Sequence, residues 1–542
     1  MEKPAGGKKA YCSTAIMSVL ILLQLILVLL LQTRIIANSD GIFSYTLANN
    51  PYENTFIDGV YEEFPKSNGW ISAHLLREQY VVEEYDRFNY AGMYHHQRYD
   101  VHPPLYYFLV HTISSLFAGQ YSIFFTLSIN LGALLIVDLL LVQLFRELYG
   151  EDGYGIVPFI FLSLLNVMIF LFTLSRMYML LFMFCCWYLC IQWKLVRNRS
   201  CWKRSYLIQM IVCIFGGTLT HYYFYVYAAC LTLIVMVFLM YEKRKYAVLN
   251  YIYAGVTGIM LSWIFFPWVL AHIFGNAQGK HKNIEPWSLE KIRGYVTFCN
   301  ENLFNGRIWI AVIILALLYF GRYCFKEKRI GHKERDGRSS LSANRIFKWM
   351  VFGSGILYSL IIYTLDGGAS HYSTPFYMSF VVWFSMVLID LLRNNIYLKK
   401  DIYIIMTAVI CAVVICSGLP VKQYVVNAVD VVRREINNAP LKIPFYRVAE
   451  EHRQYDCIFI ERKQNQLLDN LWFEFGEYDE FKKIPLADFE RDGIDNETLE
   501  GRESRDGVFV YAPMECFFDE RDYYLVAENG IYCIYEIINE AE

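Results

Sequence analysis

Hydrophobic residues in this chain fall in long, nearly uncharged runs separated by short polar segments, as at 15–31, 308–320 and 402–419. A helix needs about 20 apolar residues to cross the hydrocarbon layer. By that measure the runs predict about eleven spans, near 14–33, 122–145, 156–174, 177–194, 206–220, 222–240, 248–270, 308–325, 347–365, 373–392 and 402–420. Lys and Arg collect in alternate loops: the N-terminal tail, 194–204, 243–245, 322–348 and 393–400. The turn 146–152 belongs to the same set although it holds one Arg against three acids, because acids count little in this rule. Basic loops stay in the cytoplasm, so the N-terminus is expected there and an odd number of spans sends the C-terminal segment outside. Lys3, Lys8 and Lys9 before the first run, with Ala37-Asn38-Ser39 after it, outline a signal peptide. The run exceeds a usual signal core and many spans follow it, so it is read as an uncleaved anchor.

Two long segments are expected on the outer side, 35–121 and 271–307. In the second, Leu289, Ile292, Val296, Cys299 and Leu303 recur at spacings of three and four, which predicts an amphipathic helix resting on the bilayer or the bundle rim. After residue 421 no further apolar run occurs. There, 455–460, 508–512, 523–526 and 532–537 read as strands, the last pair flanking Asn529-Gly530, which suits a type I′ hairpin. The expected fold class is therefore an all-α polytopic membrane bundle, 1–420, followed by a small extracytoplasmic α/β domain, 421–542, whose plain role is docking or covering.

Composition agrees with a membrane solvent. At 56% hydrophobic content and a mean hydropathy of +0.29, a chain of 542 residues carries more apolar surface than one soluble core hides. Its net charge of −3 comes with no basic stripe, so nucleic acid is excluded as a partner. Of fourteen cysteines, Cys185, Cys186, Cys190, Cys213, Cys230, Cys411 and Cys416 lie in apolar runs and read as small packing residues. Cys299, Cys457, Cys516 and Cys533 fall outside the runs, but without a C-x-x-C pair they indicate neither a zinc site nor a disulfide framework.

Ionisable residues near span ends carry the candidate chemistry. Asp40 follows the first span by a few residues, in Ser39-Asp40-Gly41-Ile42-Phe43-Ser44-Tyr45; taken alone it is an ordinary solvated acid. Asp100-Val101-His102-Pro103-Pro104 is more specific, since consecutive prolines force an extended backbone and hold Asp100 and His102 on a stiff element. Ser175-Arg176-Met177-Tyr178 sits between the third and fourth expected spans. An Arg at that depth calls for an anion, and its planar fork of donors fits phosphate, with snorkelling as the bland alternative. Asp138 is a carboxylate inside the second expected span.

The pairing of Asp40 with the DVHPPLYY stretch, together with the Arg-Met-Tyr corner, resembles the family 39 glycosyltransferases of the GT-C superfamily, which include protein O-mannosyltransferases and bacterial aminoarabinose transferases. The order of parts agrees over roughly 10–395. The resemblance implies an integral membrane transferase that moves a monosaccharide, with inversion, from a polyprenyl-phosphate carrier to an extracytoplasmic glycan, lipid or protein of the cell envelope. Asp40 would be its base, with Asp100 as a second acid. His102, Arg176, Tyr178, His371 and Tyr372 would bind lipid phosphate or substrate. The chain departs from the pattern at Asp40-Gly41, where many members have Asp-Glu, and at His371-Tyr372, where Arg-Tyr is common. A divalent metal stays open in principle, because His95, His96, Asp40 and Asp100 share the first outer segment, but H-x-x-x-H and D-x-D spacings are absent from it, so no metal or other cofactor is assigned. Two rival classes stay open. A transporter would make use of Asp138, and a catalytically silent scaffold would accommodate the missing Glu and Arg.

Overall fold

The computed structural model describes residues 7–32, 39–50, 69–150, 152–198, 203–274, 286–304, 306–313, 315–316, 338–366, 370–395, 445–462, 472–494, 496–500, 507–516, 518–519, 522–528 and 532–538. The chain divides into two compact units, one made of Met1–Thr33, Val101–Tyr106 and Leu127–Ala428, the other of Arg34–Asp100, Tyr107–Thr126 and Val429–Glu542.

The first unit is helical. Its main helices are α1 (Gly7–Gln32), α2 (Phe124–Tyr149), α3 (Ile156–Leu164), α4 (Asn166–Thr173), α5 (Tyr178–Arg197), α6 (Arg204–Thr220), α7 (Tyr223–Tyr241), α8 (Lys245–Phe265), α9 (Leu289–Phe304), α10 (Arg338–Asp366) and α11 (Thr374–Asn395). Six of the described helices, in α2, α5, α7, α8, α10 and α11, are long and apolar enough to cross a membrane, which makes this a multi-pass membrane protein. About eleven spans are expected from sequence, and among the described residues two of them are interrupted or short. The expected span 156–174 is broken: Leu165 (φ −68°, ψ 126°) is extended between α3 and α4, and Leu174 (φ −86°, ψ 120°) ends α4. α6 is 17 residues long, and the expected span 14–33 falls in α1, a helix of 26 residues that includes the apolar stretch Ala15–Leu30. The expected span 308–325 is described only in part, and 402–420 lies outside the described residues.

Backbone carbonyls left open at the C-terminal end of a helix such as α4 are costly away from water. Here two amide side chains take them up. Asn130 of α2 donates to Leu174 O at 2.7 Å, and Gln32 of α1 donates to Phe172 O at 2.9 Å. The last turns of α6 are equally dependent on their sequence: a Cβ on Gly217 would lie 2.6 Å from the Phe224 ring of α7, and one on Gly216 would lie 2.5 Å from Phe184 of α5. The amphipathic α9 forms as expected. Phe298, Leu303 and Phe304 are buried, while Leu289, Ile292 and Val296 are exposed, a stripe suited to lipid. Tyr295 shares a 2.5 Å hydrogen bond with Ser359 of α10.

The second unit is built on a six-stranded sheet of β1 (Ile71–Ser72), β2 (Asp456–Glu461), β3 (Glu480–Pro485), β4 (Val508–Pro513), β5 (Tyr523–Glu528) and β6 (Tyr532–Ile537), in the order β1-β3-β2-β4-β6-β5. β2 lies parallel to β3 and β4, and the other pairings are antiparallel. Every residue of β4 and all but the last of β2 are buried, as the two-sided cover of a central parallel strand requires. The four strands expected from sequence are present. β3 was not expected, because Lys482 and Lys483 interrupt its apolar pattern.

β1 comes from the segment between the first two spans, so that segment and the C-terminal one share a sheet. More bonds tie them. Ala73 N donates to Asp479 O at 3.0 Å, Trp70 Nε1 to Thr498 O at 3.1 Å, and Tyr80 Oη to Phe473 O at 3.1 Å. The buried Glu477 carboxylate pairs with Arg77 and, at 2.9 Å, with Arg453. Tyr121 stacks on Phe473 with centroids 4.1 Å apart.

Candidate functional site

The break after α4 positions the most informative side chain. With Leu174 extended and its carbonyl held by Asn130, the chain turns sharply, Arg176 N donating to Leu174 O at 2.7 Å, before α5 begins at Tyr178. Arg176 is buried, at 8% exposure. Its Nη2 lies 3.4 Å from Nε2 of His102, on the proline-stiffened segment 101–104. A guanidinium keeps its charge on burial, so the turn sets a cation at a site whose field favours anionic groups.

Around this pair lies a shell of imidazole and phenol rings, all in the first unit. Tyr178 meets His371 at 4.7 Å and Tyr372 at 5.8 Å between ring centroids. His371 and Tyr372 occupy a single 3-10 turn, Ser370–Ser373, which opens α11. That turn is pinned by Tyr358, whose hydroxyl donates to Tyr372 O at 2.6 Å, and by Thr374, whose hydroxyl donates to His371 O. His102, Arg176, Tyr178, His371 and Tyr372, expected from sequence to bind substrate or lipid phosphate, are thus brought together.

His221 joins them and was not expected. Its ring lies 6.1 Å from His102, 5.5 Å from Tyr178, 4.8 Å from Tyr223 and 6.2 Å from Tyr372. Tyr223 in turn meets Tyr372 at 5.1 Å. A signal existed: His221 is the one residue left between the expected spans 206–220 and 222–240, and an ionisable side chain at such a corner is a candidate by position alone. Burial holds the His221 imidazole well below its ordinary range, and the neighbouring charges of His102, Arg176 and His371 push it the same way. The ring is therefore neutral at pH 7.

The two expected carboxylates belong to the second unit. Asp40 is the second residue of the helix Ser39–Asn49. Asp100 closes the helix Tyr90–Tyr99, its N–H donating to His96 O at 3.0 Å, two residues before His102. His96 is engaged with Asn50 O at 2.9 Å. Among the described residues no group of three or more His, Cys, Asp or Glu is arranged to hold a metal ion. Asp138 is fully buried in α2, and neither carboxylate oxygen has a hydrogen-bond partner among the described residues. Arg176 with the histidines and tyrosines offers a fixed positive charge and several orientable donors, a set that stabilises phosphate oxygens.

No family model and no curated protein matches the chain. Among solved structures, ArnT from Cupriavidus metallidurans in the apo state is similar at 11% identity, with 97% of this chain and 98% of that chain covered and a TM-score of 0.41. A likeness that loose carries no argument about the site.

Proposed function

We propose that the protein is a membrane glycosyltransferase that takes a monosaccharide from a polyprenyl-phosphate carrier and delivers it to an extracytoplasmic acceptor. The observation that carries this reading is the buried Arg176 set against His102 at 3.4 Å within a ring of Tyr178, His371 and Tyr372. In the reaction an acceptor hydroxyl or amine attacks the anomeric carbon from the face opposite the phosphate. The new bond forms as the bond from the anomeric carbon to the phosphate oxygen breaks, and the electron pair leaves with the polyprenyl phosphate. The acceptor's proton passes to a carboxylate. Asp40 takes that part on its sequence position just past the first span and on the family resemblance, with Asp100 as second acid. As the phosphate gains charge, donors already aimed at it bind more tightly, which lowers the barrier.

The test is transfer from a labelled undecaprenyl phosphosugar by the purified protein. Asp40→Asn is expected to abolish transfer while leaving donor binding intact. Arg176→Gln should weaken donor binding by roughly ten- to a hundredfold, the value of a charge-assisted hydrogen bond. Transfer that persists in Asp40→Asn removes that residue from the mechanism. A second reading is favoured by one feature, the buried Asp138, which suits a transporter. Flux lost in Asp138→Asn with sugar transfer intact would select it.

A further inference from the structure

We infer that His221 serves the bound phosphate as a neutral hydrogen-bond donor whose proton is fixed on Nε2, because its Nδ1 already accepts a backbone N–H. The inference rests on the lipid-phosphate reading and adds to it a residue and a protonation state.

His221 closes α6 in an extended conformation (φ −161°, ψ 142°), and its Nδ1 lies 3.1 Å from the backbone nitrogen of Tyr223 at the start of α7. A neutral imidazole has one donor and one acceptor nitrogen. With Nδ1 accepting, the proton sits on Nε2. Adding a second proton would turn Nδ1 into a donor facing another donor and would cost the cap of α7. The groups facing the ring oppose it too: His102 from the proline segment, Arg176 and Tyr178 from the corner before α5, His371 and Tyr372 from the 3-10 turn, and Tyr223 from α7. None of these is an acid, and the ring is buried at 6% exposure. The cluster therefore divides its labour. Arg176 supplies a permanent charge, and His221 supplies direction without a second one. That matters for turnover, because the departing polyprenyl phosphate carries more negative charge than the donor did, and each further fixed cation would slow its release.

Nitrogen NMR of the purified protein with labelled histidine, assigned by difference against His221→Asn, reads the tautomer. Titration with undecaprenyl monophosphate in nanodiscs, with Arg176→Gln as control, reads the role. The expected result is an Nε2–H tautomer at neutral pH, a wild-type affinity kept within about threefold by His221→Gln, and an affinity lowered about tenfold by His221→Asn. Gln places an N–H where Nε2 stood, whereas Asn keeps the helix cap and loses that reach. An imidazolium or an Nδ1–H tautomer overturns the inference, and so does wild-type affinity in His221→Asn, which would leave the residue only a cap. Affinity restored by His221→Arg but not by Gln overturns it in favour of charge. A wild-type protein that ignores undecaprenyl monophosphate while showing the Nε2–H tautomer overturns the lipid-phosphate reading instead, and the donor role with it.

Discussion

Arg176 and Glu474 are both buried, and they resolve the cost of burial in opposite ways. Arginine keeps its charge at any accessible pH, so Arg176 needs polar company, and it has His102 beside it. Glu474, at 5% exposure in the second unit, gives up its charge instead: burial pushes its carboxyl up to about 8. An acid raised in the folded state holds a proton that the unfolded chain releases in the ordinary carboxylate range. Folding therefore takes up a proton between that range and about 8, and stability falls as pH rises through this window. Glu474→Gln should flatten the dependence. Its melting temperature is expected to match wild type under acidic conditions and to exceed it at alkaline pH, with a difference of about 3 kcal/mol by pH 7. Equal pH slopes in thermal melts of the two proteins would show that Glu474 is already ionised.

At the scale of elements, the informative feature is the interruption between α3, α4 and α5. A continuous helix through 156–174 would reach the Arg176 corner as one element, whereas here the extended Leu165 divides it and the extended Leu174 ends it. The carbonyls at the end of α4 receive hydrogen bonds donated by the Asn130 and Gln32 side chains, so two helices distant in sequence fix the corner. Asn130→Leu is expected to destabilise this corner by about 1–3 kcal/mol, the cost of a buried unsatisfied carbonyl. It should lower donor affinity and transfer together without touching substrate. Unchanged binding of undecaprenyl monophosphate in this variant would mean that the Arg176 corner holds without Asn130.

At the scale of the molecule, the C-terminal segment completes the second unit rather than hanging from the bundle. Without residues 445–542, β1 loses its partner strand, Tyr80 and Trp70 lose their carbonyl acceptors, and Arg77 loses the Glu477 carboxylate. Truncation at residue 440 is therefore expected to open the 69–100 segment to limited proteolysis that leaves the full chain intact there. Restoration of resistance by adding the missing segment as a separate polypeptide would confirm that the protection comes from pairing. An uncut 69–100 segment in the truncated protein would show that it folds unaided.

Hydropathy and charge are local quantities, and what they govern was legible without coordinates: the multi-pass character, the amphipathic α9 and the four strands with alternating or continuous apolar patterns. The residues of the proline corner, the Arg-Met-Tyr turn and the His-Tyr turn could also be picked out, because prolines and membrane-depth charges are conspicuous in a string. Their assembly could not. That His102, Arg176, Tyr178, His371 and Tyr372 converge, and that His221 joins them, depends on where helices break and which remote amide caps the break. Strand β3 and the pairing of β1 with it depend likewise on contacts between segments about 400 residues apart, which no local periodicity encodes. The bilayer as solvent wrote the helices into the sequence, while hydrogen-bond satisfaction across the fold, a property of the assembled chain, decided the site.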